Sequence, residues 1–163
     1  MNLNKHLSQI IADSIEAKRK QCYWNAIEAQ QGIVPLRDAL YVEGFVVWAP
    51  QGGAWFEHGW LEYEGQIVDP TLILPPKAKR GKGKTSPVTD ERSDIYFPAI
   101  RYTYEEVKRL VGTIGDEQMP FASRVDRTTD RWQQVLQEVV AYSWQAAREC
   151  RECEDTAYFL SAS

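Results

Sequence analysis

Cysteine and histidine are scarce in this sequence, which has three cysteines and two histidines among 163 residues. Three is an odd count, and Cys150 and Cys153 stand close together, so the cysteines do not indicate a disulfide framework. A structural zinc ion takes four ligands, and no second cysteine pair is present to join these two. Both also extend an apolar stripe at helical spacing, which favours packing over zinc or redox chemistry. We therefore expect no metal and no cofactor, and a zinc protein is the weakest of three functional hypotheses.

Long apolar runs are absent as well. The sequence has no stretch of roughly eighteen apolar residues, the length that a membrane-spanning helix needs. Its first residues, Met1 to Lys5, are polar and do not resemble a secretory leader. We therefore expect a cytoplasmic protein that does not bind membranes. The formal net charge of −4 does not favour general binding to nucleic acid.

Length and composition fit a single folded domain over residues 1–163. Hydrophobic residues make up 44% and aromatic residues 12% of the chain, which excludes general disorder. One segment differs in character, because Lys77 to Lys84 carries many basic residues and no acid, with Gly and Pro around it at about 75–93. The composition predicts an exposed, flexible loop. A nucleic-acid or phosphate-rich partner is the alternative, disfavoured because no aromatic residue is interleaved.

Apolar residues at helical spacing predict two helices near the N-terminus. The first runs from Asn4, which can cap it, to about Lys20. The second begins at Cys22 and ends near Gly32. No Gly or Pro separates the two helices, so the break near Lys20 is an assumption.

Two further helices are predicted after the strands. Thr103 and Glu106 form a capping-box pattern before a short helix that reaches Val111. A long final helix follows, with Thr129 or Asp130 at its start.

The strands lie between these helices. Leu40–Ala49 is apolar on both faces and predicts a central strand, and Ile95–Tyr102 predicts another, interrupted by Pro98. Helices on either side of antiparallel strands make an α+β fold. Glu43 is the polar exception in the central strand; we expect it to pair with a buried arginine, Arg37 or Arg101, or alternatively to line the functional site.

Two strands joined at Glu64-Gly65 complete a predicted three-stranded meander. An even-numbered turn at this pair sets Tyr63 opposite Gln66, Leu61 opposite Val68, and Trp60 opposite Asp69. His58 and Asp69 then lie on one face as diagonal neighbours, roughly 7–8 Å apart at the backbone. A carboxylate at that distance can hold an imidazole by one ring nitrogen. An odd-length loop would place Asp69 on the opposite face.

Cys22 is the candidate nucleophile for such a His–Asp pair. It stands at the predicted start of a helix, where amide donors and the helix dipole stabilise a thiolate. Small residues follow it at helical spacing, at Ala26 and Ala29, and allow the helix to lie close to a sheet. A thiol, a histidine and a carboxylate that orients the histidine form the constellation of nucleophilic acyl transfer.

The order of three short motifs resembles that of the papain-like and transglutaminase-like cysteine enzymes. These motifs are Cys22, then His58-Gly59-Trp60, then Val68-Asp69-Pro70-Thr71. The phrase formed by histidine, a small residue, tryptophan and then Asp-Pro-Thr is closer to the transglutaminase-like branch. The resemblance covers about Gln21 to Thr71, with Tyr96–Pro98 in addition. It implies a papain-like fold, in which N-terminal helices pack on a small antiparallel sheet, with Cys22 as nucleophile, His58 as base and Asp69 as the residue that orients the base.

The remaining site predictions concern the oxyanion and the substrate. The resemblance implies a glutamine in the oxyanion hole, but papain-like enzymes place it several residues before the cysteine, whereas Gln21 is directly adjacent. The backbone amide of Cys22 is one candidate donor, and Trp24, Asn25 or Trp60 would supply or shape the rest.

Two leading hypotheses follow. The first is a cysteine-dependent enzyme that acts on a protein, a peptide or a small amide, without a cofactor, as a peptidase, amidase, deamidase or transglutaminase. The basic segment 77–84 follows Asp69 closely enough to serve as a lid. The second is a non-catalytic module of the same fold that binds protein or nucleic acid through its tryptophans and that segment. Thiol-selective labelling discriminates the two hypotheses.

Overall fold

Residues 1–48, 54–73, 94–114, 121 and 130–161 are described by a computed structural model. In these ranges the helices are α1 (Lys5–Ser14), α2 (Cys22–Gly32), α3 (Tyr104–Ile114) and α4 (Asp130–Ser161), and a 3₁₀ helix spans Val34–Asp38. The strands are β1 (Leu40–Trp48), β2 (Ala54–Tyr63), β3 (Gln66–Val68) and β4 (Asp94–Tyr102). They form one antiparallel sheet in the order β3-β2-β1-β4. The predicted α+β class and the three-stranded meander are confirmed.

The helices cover one face of the sheet. Alternate residues of the central strand β1 point to them, since side chains alternate along a strand. Tyr41 packs with α2 and α3 in one buried cluster, whereas Phe45 and Val47 pack against Trp132 and Val135 of α4 in another. The stripe predicted along the final helix therefore supplies buried core residues, while the side chains of its two cysteines lie outside the described residues.

The opposite face of the sheet carries a third buried cluster, built from Val42 and Val46 of β1, Trp60 of β2 and Ile67 of β3. Gly44 of β1 is paired with His58 and belongs to the same face. This is the face on which the candidate site forms.

The start of α1 agrees with the prediction, but its end does not. Asn4 caps the helix by accepting a hydrogen bond from the Leu7 amide at 2.9 Å. The helix ends at Ser14 rather than near Lys20. The side chain of Asn25 binds both the amide and the carbonyl of Lys18, at 3.0 and 2.7 Å, and so takes the place of helical partners there.

The other boundaries lie close to the predicted ones. Helix α2 ends at Gly32 as expected. Thr103 and Glu106 form the predicted capping box, in which the Thr103 amide donates to the Glu106 carboxylate at 2.8 Å, although α3 continues to Ile114 rather than ending at Val111. Strand β4 runs through Pro98, which an edge strand tolerates, and a register shift at Glu43/Gly44 accompanies it.

The expected pairing of Glu43 with Arg37 or Arg101 is wrong. Arg101 makes a two-point ion pair with Glu62, at 2.8 and 3.0 Å, and Arg37 lies over the ring of Tyr104. Glu43 is buried on the helix-covered face, where Oε1 accepts from the Tyr41 hydroxyl at 2.8 Å and from the amide of Phe121 at 2.9 Å. Burial, followed by the charge and hydrogen bond of Glu43, raises the pKa of Tyr41. The carboxylate therefore ties Phe121 to the core.

The turn predicted at Pro50–Gly53 and the basic segment 77–84 lie outside the described residues. Within the described helices, none combines the length and the hydropathy that crossing a bilayer requires.

Candidate active site

The turn at Glu64-Gly65 brings His58 and Asp69 together. Both turn residues adopt positive φ angles, 49° and 73°, which is typical of a two-residue hairpin turn. Leu61 lies opposite Val68, with the neighbouring pairs in the predicted register. His58 Nε2 is 2.6 Å from Asp69 Oδ2, and both residues are buried. The predicted register and the predicted His–Asp contact are confirmed.

Asp69 is held through both carboxylate oxygens. Oδ1 accepts from the amides of Thr71 and Leu72 at 2.9 and 3.0 Å, in the turn that begins at Pro70. Oδ2 accepts from the Tyr96 hydroxyl at 3.0 Å as well as contacting His58. The carboxylate therefore cannot rotate without losing several hydrogen bonds.

The backbone of Asp69 is fixed by the N-terminal segment. Its amide donates to Ser8 Oγ at 2.9 Å, and the Ser8 hydroxyl in turn donates to the carbonyl of Asn4 at 2.7 Å. Leu3 forms a parallel bridge with Ile67, so that residues near the start of the chain extend the sheet beyond β3. Helix α1 thus positions the carboxylate through a buried serine.

Cys22 is the first residue of α2, and its side chain is half-buried. The thiol lies close enough to His58 to help raise the pKa of that ring. Because Asp69 holds Nε2, Nδ1 is the ring nitrogen left for the thiol. The imidazole therefore lies between the thiol and the carboxylate, which is the arrangement of a Cys-His-Asp triad.

The electrostatics of the pair favour a charged ring. Burial lowers the pKa of His58, but the charge and hydrogen bond of Asp69, followed by Cys22, outweigh it and raise the pKa to about 10. For Asp69 the directions are reversed, because burial raises the pKa of a carboxyl group. The charge and hydrogen bond of His58, followed by the amides of Leu72 and Thr71, outweigh burial and lower the pKa of Asp69. At neutral pH the site therefore holds an imidazolium beside an ionised carboxylate, and a positive ring stabilises a neighbouring thiolate.

Comparison of the chain with protein-family models, curated proteins and solved structures finds no match.

Asn25 does not have the predicted oxyanion role. Its carboxamide is buried, and the Nδ2 group donates to the carbonyl of Lys18 and to Thr71 Oγ1, each at 2.7 Å. The Oδ1 atom accepts from the Lys18 amide. Both ends of the amide are therefore engaged in joining the α1–α2 loop to the turn after Asp69. Asn25 supports the site as a structural residue.

Gln21 and Trp24 flank the thiol on the helix. Gln21 is the exposed N-cap residue of α2 and makes no side-chain capping bond, while its carbonyl accepts from the Asn25 amide at 2.8 Å. Trp24 is half-buried. The amide of Cys22 is at the first helical position and has no helical acceptor, so it remains a candidate oxyanion donor.

Trp60 packs against the imidazole ring of His58. Its ring is fully buried and lies nearly parallel to the His58 ring, with centroids 6.3 Å apart, while Phe56 meets His58 edge-on at 5.6 Å. Trp60 Nε1 has no hydrogen-bond partner among the described residues. The aromatic surroundings exclude water from the His58–Asp69 contact, which strengthens it.

Sequence reasoning missed Ser8 and Tyr96 as parts of the site. Tyr96 lay inside the recognised strand and inside the stretch that carried the family resemblance, but neither signal gave it a partner. Among the described residues, no group of three or more histidine, cysteine, aspartate and glutamate side chains is placed to hold a metal ion.

Proposed function

We propose that this protein is a cysteine-dependent acyl-transfer enzyme of papain-like or transglutaminase-like architecture, with Cys22 as nucleophile, His58 as acid–base and Asp69 as the orienting residue. The single observation that carries the proposal is the position of the His58 ring, which Asp69 holds by Nε2 in the neighbourhood of the Cys22 thiol. The sequence arguments add a cytoplasmic location.

The reaction begins with attack of the Cys22 thiolate on an amide or ester carbonyl, which forms a tetrahedral oxyanion. In this proposal the Cys22 amide, at the start of α2, donates a hydrogen bond to that charge. The intermediate then collapses, the C–N or C–O bond breaks, and the imidazolium of His58 gives its proton to the leaving group. A thioester to Cys22 and a neutral imidazole remain.

The neutral imidazole then acts as a base. It removes a proton from water or from an acceptor amine as that molecule attacks the thioester. The second tetrahedral intermediate expels the thiolate, and the ring is again an imidazolium. Water as acceptor gives hydrolysis or deamidation, and an amine gives transfer. The substrate we propose is a protein, a peptide or a small amide, and no cofactor is required.

Thiol labelling with iodoacetamide tests this proposal directly. Cys22 should be alkylated faster than Cys150 and Cys153 near neutral pH, because thiolates rather than thiols react. Mass spectrometry of peptides after short exposure identifies the labelled residue. His58→Ala should remove the preference.

His6→Ala is the matched control, because His6 is the only other histidine and is exposed. It should leave the labelling of Cys22 unchanged. Equal and slow labelling of all three thiols in the unaltered protein would contradict the proposal and favour a binding module.

A further inference from the structure

The Oδ2 atom of Asp69 receives two side-chain donors from different strands. His58 Nε2 lies at 2.6 Å and the Tyr96 hydroxyl at 3.0 Å. His58 belongs to β2 and Tyr96 to β4, and the central strand β1 separates them in the sheet. A hydroxyl donates through its hydrogen, and an ionised carboxylate only accepts. Tyr96 therefore acts on the same oxygen atom that holds the histidine.

A gap in the side chains of β1 permits this contact. Gly44 pairs with His58 on one side and with Pro98 on the other, and its missing side chain leaves space on the site face. A Cβ at Gly44 would lie 2.2 Å from the backbone oxygen of Phe97 in β4 and 3.0 Å from Cη2 of Trp60, so the missing side chain lets both β4 and the Trp60 ring come close. The Trp60 ring occupies that space and meets the Tyr96 ring edge-on, with centroids 5.1 Å apart. Trp60 thus fixes the direction of the phenol.

We propose that Tyr96 is a positioning residue that fixes the Asp69 carboxylate against His58 and thereby sets the lower pH limit of Cys22 reactivity. This inference rests on the proposed function. The titratable groups that face Asp69 in the described structure are His58 from β2 and Tyr96 from β4, with Cys22 of α2 beyond the imidazole; α1 contributes the uncharged hydroxyl of Ser8.

The expected effect follows from the hydrogen bond. Removal of a donor from a buried carboxylate makes its ionised form less stable, so that it binds a proton at higher pH. A neutral Asp69 no longer stabilises the imidazolium, so the buried ring loses its proton more readily, and a neutral ring stabilises the thiolate less. Loss of the Tyr96 hydroxyl should therefore move the acid limb of Cys22 reactivity to higher pH.

The test is the pH dependence of Cys22 alkylation by iodoacetamide between pH 3 and 8, in Tyr96→Phe and in the unaltered protein. We expect the midpoint of the acid limb to rise by about 0.5–1 pH unit and the plateau rate to fall roughly threefold to tenfold. Tyr63→Phe is the matched control, because Tyr63 lies at the far end of β2 beside the hairpin turn. Its profile should overlay that of the unaltered protein.

A double variant separates positioning from a general loss of stability. If Tyr96 acts through Asp69, then Tyr96→Phe should change the alkylation profile by less than a factor of two in an Asp69→Asn background. An equal effect in both backgrounds, or a Tyr96→Phe profile that overlays the unaltered one, would overturn the inference. Labelling of Cys22 that does not depend on His58 would instead overturn the proposed function itself.

Discussion

Gly59 of β2 lies directly beneath Tyr23 of α2. A Cβ at Gly59 would be 2.6 Å from Cδ1 of Tyr23 and 3.1 Å from its Cα, so no other residue type fits while the helix keeps its position. Tyr23 follows Cys22, and Gly59 follows His58. The close approach of helix and strand at this point therefore fixes the position of the start of α2, and with it Cys22, against β2.

Gly59→Ala should push the start of α2 away from β2. Because backbone as well as side-chain atoms of Tyr23 stand in the way, we expect a loss of stability of about 1–3 kcal/mol. Alkylation of Cys22 near neutral pH should also slow at least several-fold. Urea denaturation and iodoacetamide labelling measure the two effects.

Gly112→Ala is the matched control for that change. Gly112 lies inside α3, and a Cβ there would have no neighbour within 4 Å. It should stabilise the protein by about 0.5–1 kcal/mol and leave labelling unchanged. Equal tolerance of alanine at both glycines would show that the helix does not depend on the contact.

Cys22→Ala should abolish turnover on any amide or ester substrate found, while the fold persists. The thiol is half-buried, so its removal costs little packing. Circular dichroism and thermal melting report the fold. The double variant Cys150→Ala with Cys153→Ala should keep turnover, and retained activity in Cys22→Ala would remove Cys22 from the mechanism.

Asp69→Asn tests the third member of the triad. The asparagine should allow the wrong tautomer of His58, a change that costs on the order of 10⁴ in turnover in serine-protease systems. A cysteine ionises more easily than a serine, so we expect a smaller loss, roughly 10-fold to 10³-fold. Turnover and the pH profile of alkylation should both change. If neither does, Asp69 serves only the turn at Pro70 and the site reduces to Cys22 and His58.

The His58–Asp69 pair should also make stability depend on pH. The pKa of His58 is raised from its usual 6.5 to about 10, so its contribution is complete below about pH 6.5 and is lost as the pH rises through about 10. The pKa of Asp69 is lowered from its usual 3.8, so its contribution is present above that pH and is lost on further acidification. The pair therefore stabilises the fold most between the usual pKa of an aspartate, 3.8, and the usual pKa of a histidine, 6.5.

Urea unfolding at several values between pH 7 and 9.5 measures the alkaline side of this dependence. The free energy of unfolding should fall by up to about 1.4 kcal/mol per pH unit, the slope for one proton held by the folded state alone. His58→Gln should flatten this slope. A slope that survives in the variant would assign the dependence to other groups.

The hairpin that holds His58 and Asp69 was predictable because its register depends on local turn chemistry. Glu64 and Gly65 fix the turn, and the alternation of side chains along the strands then determines which residues share a face. The capping residues Asn4 and Thr103 were predictable for the same reason, since each binds an amide three residues away.

The contacts that complete the site were not predictable in this way. Ser8 and Tyr96 reach Asp69 across 61 and 27 residues of sequence, and no local pattern encodes such a separation. Asn25 is one of three residues that the sequence offers to supply or shape the oxyanion hole, but its carboxamide binds the amide and carbonyl of Lys18 and the hydroxyl of Thr71. The early end of α1 is a left-handed cap at Glu16, where the amide of Ala17 donates to the carbonyl of Ala12 at 2.8 Å, and it has no Gly or Pro signal.

The hydrogen bond from Tyr96 to Asp69 also affects when the site is completed during synthesis on the ribosome. Cys22, His58 and Asp69 leave the ribosome before Tyr96, and until β4 docks, one edge of β1 has no partner strand. Pairing over long sequence separations is slow, so the nascent chain carries its thiol through a period in which the surrounding hydrogen bonds are incomplete. Pulse labelling of Cys22 on stalled chains of increasing length would therefore record when β4 pairs with β1.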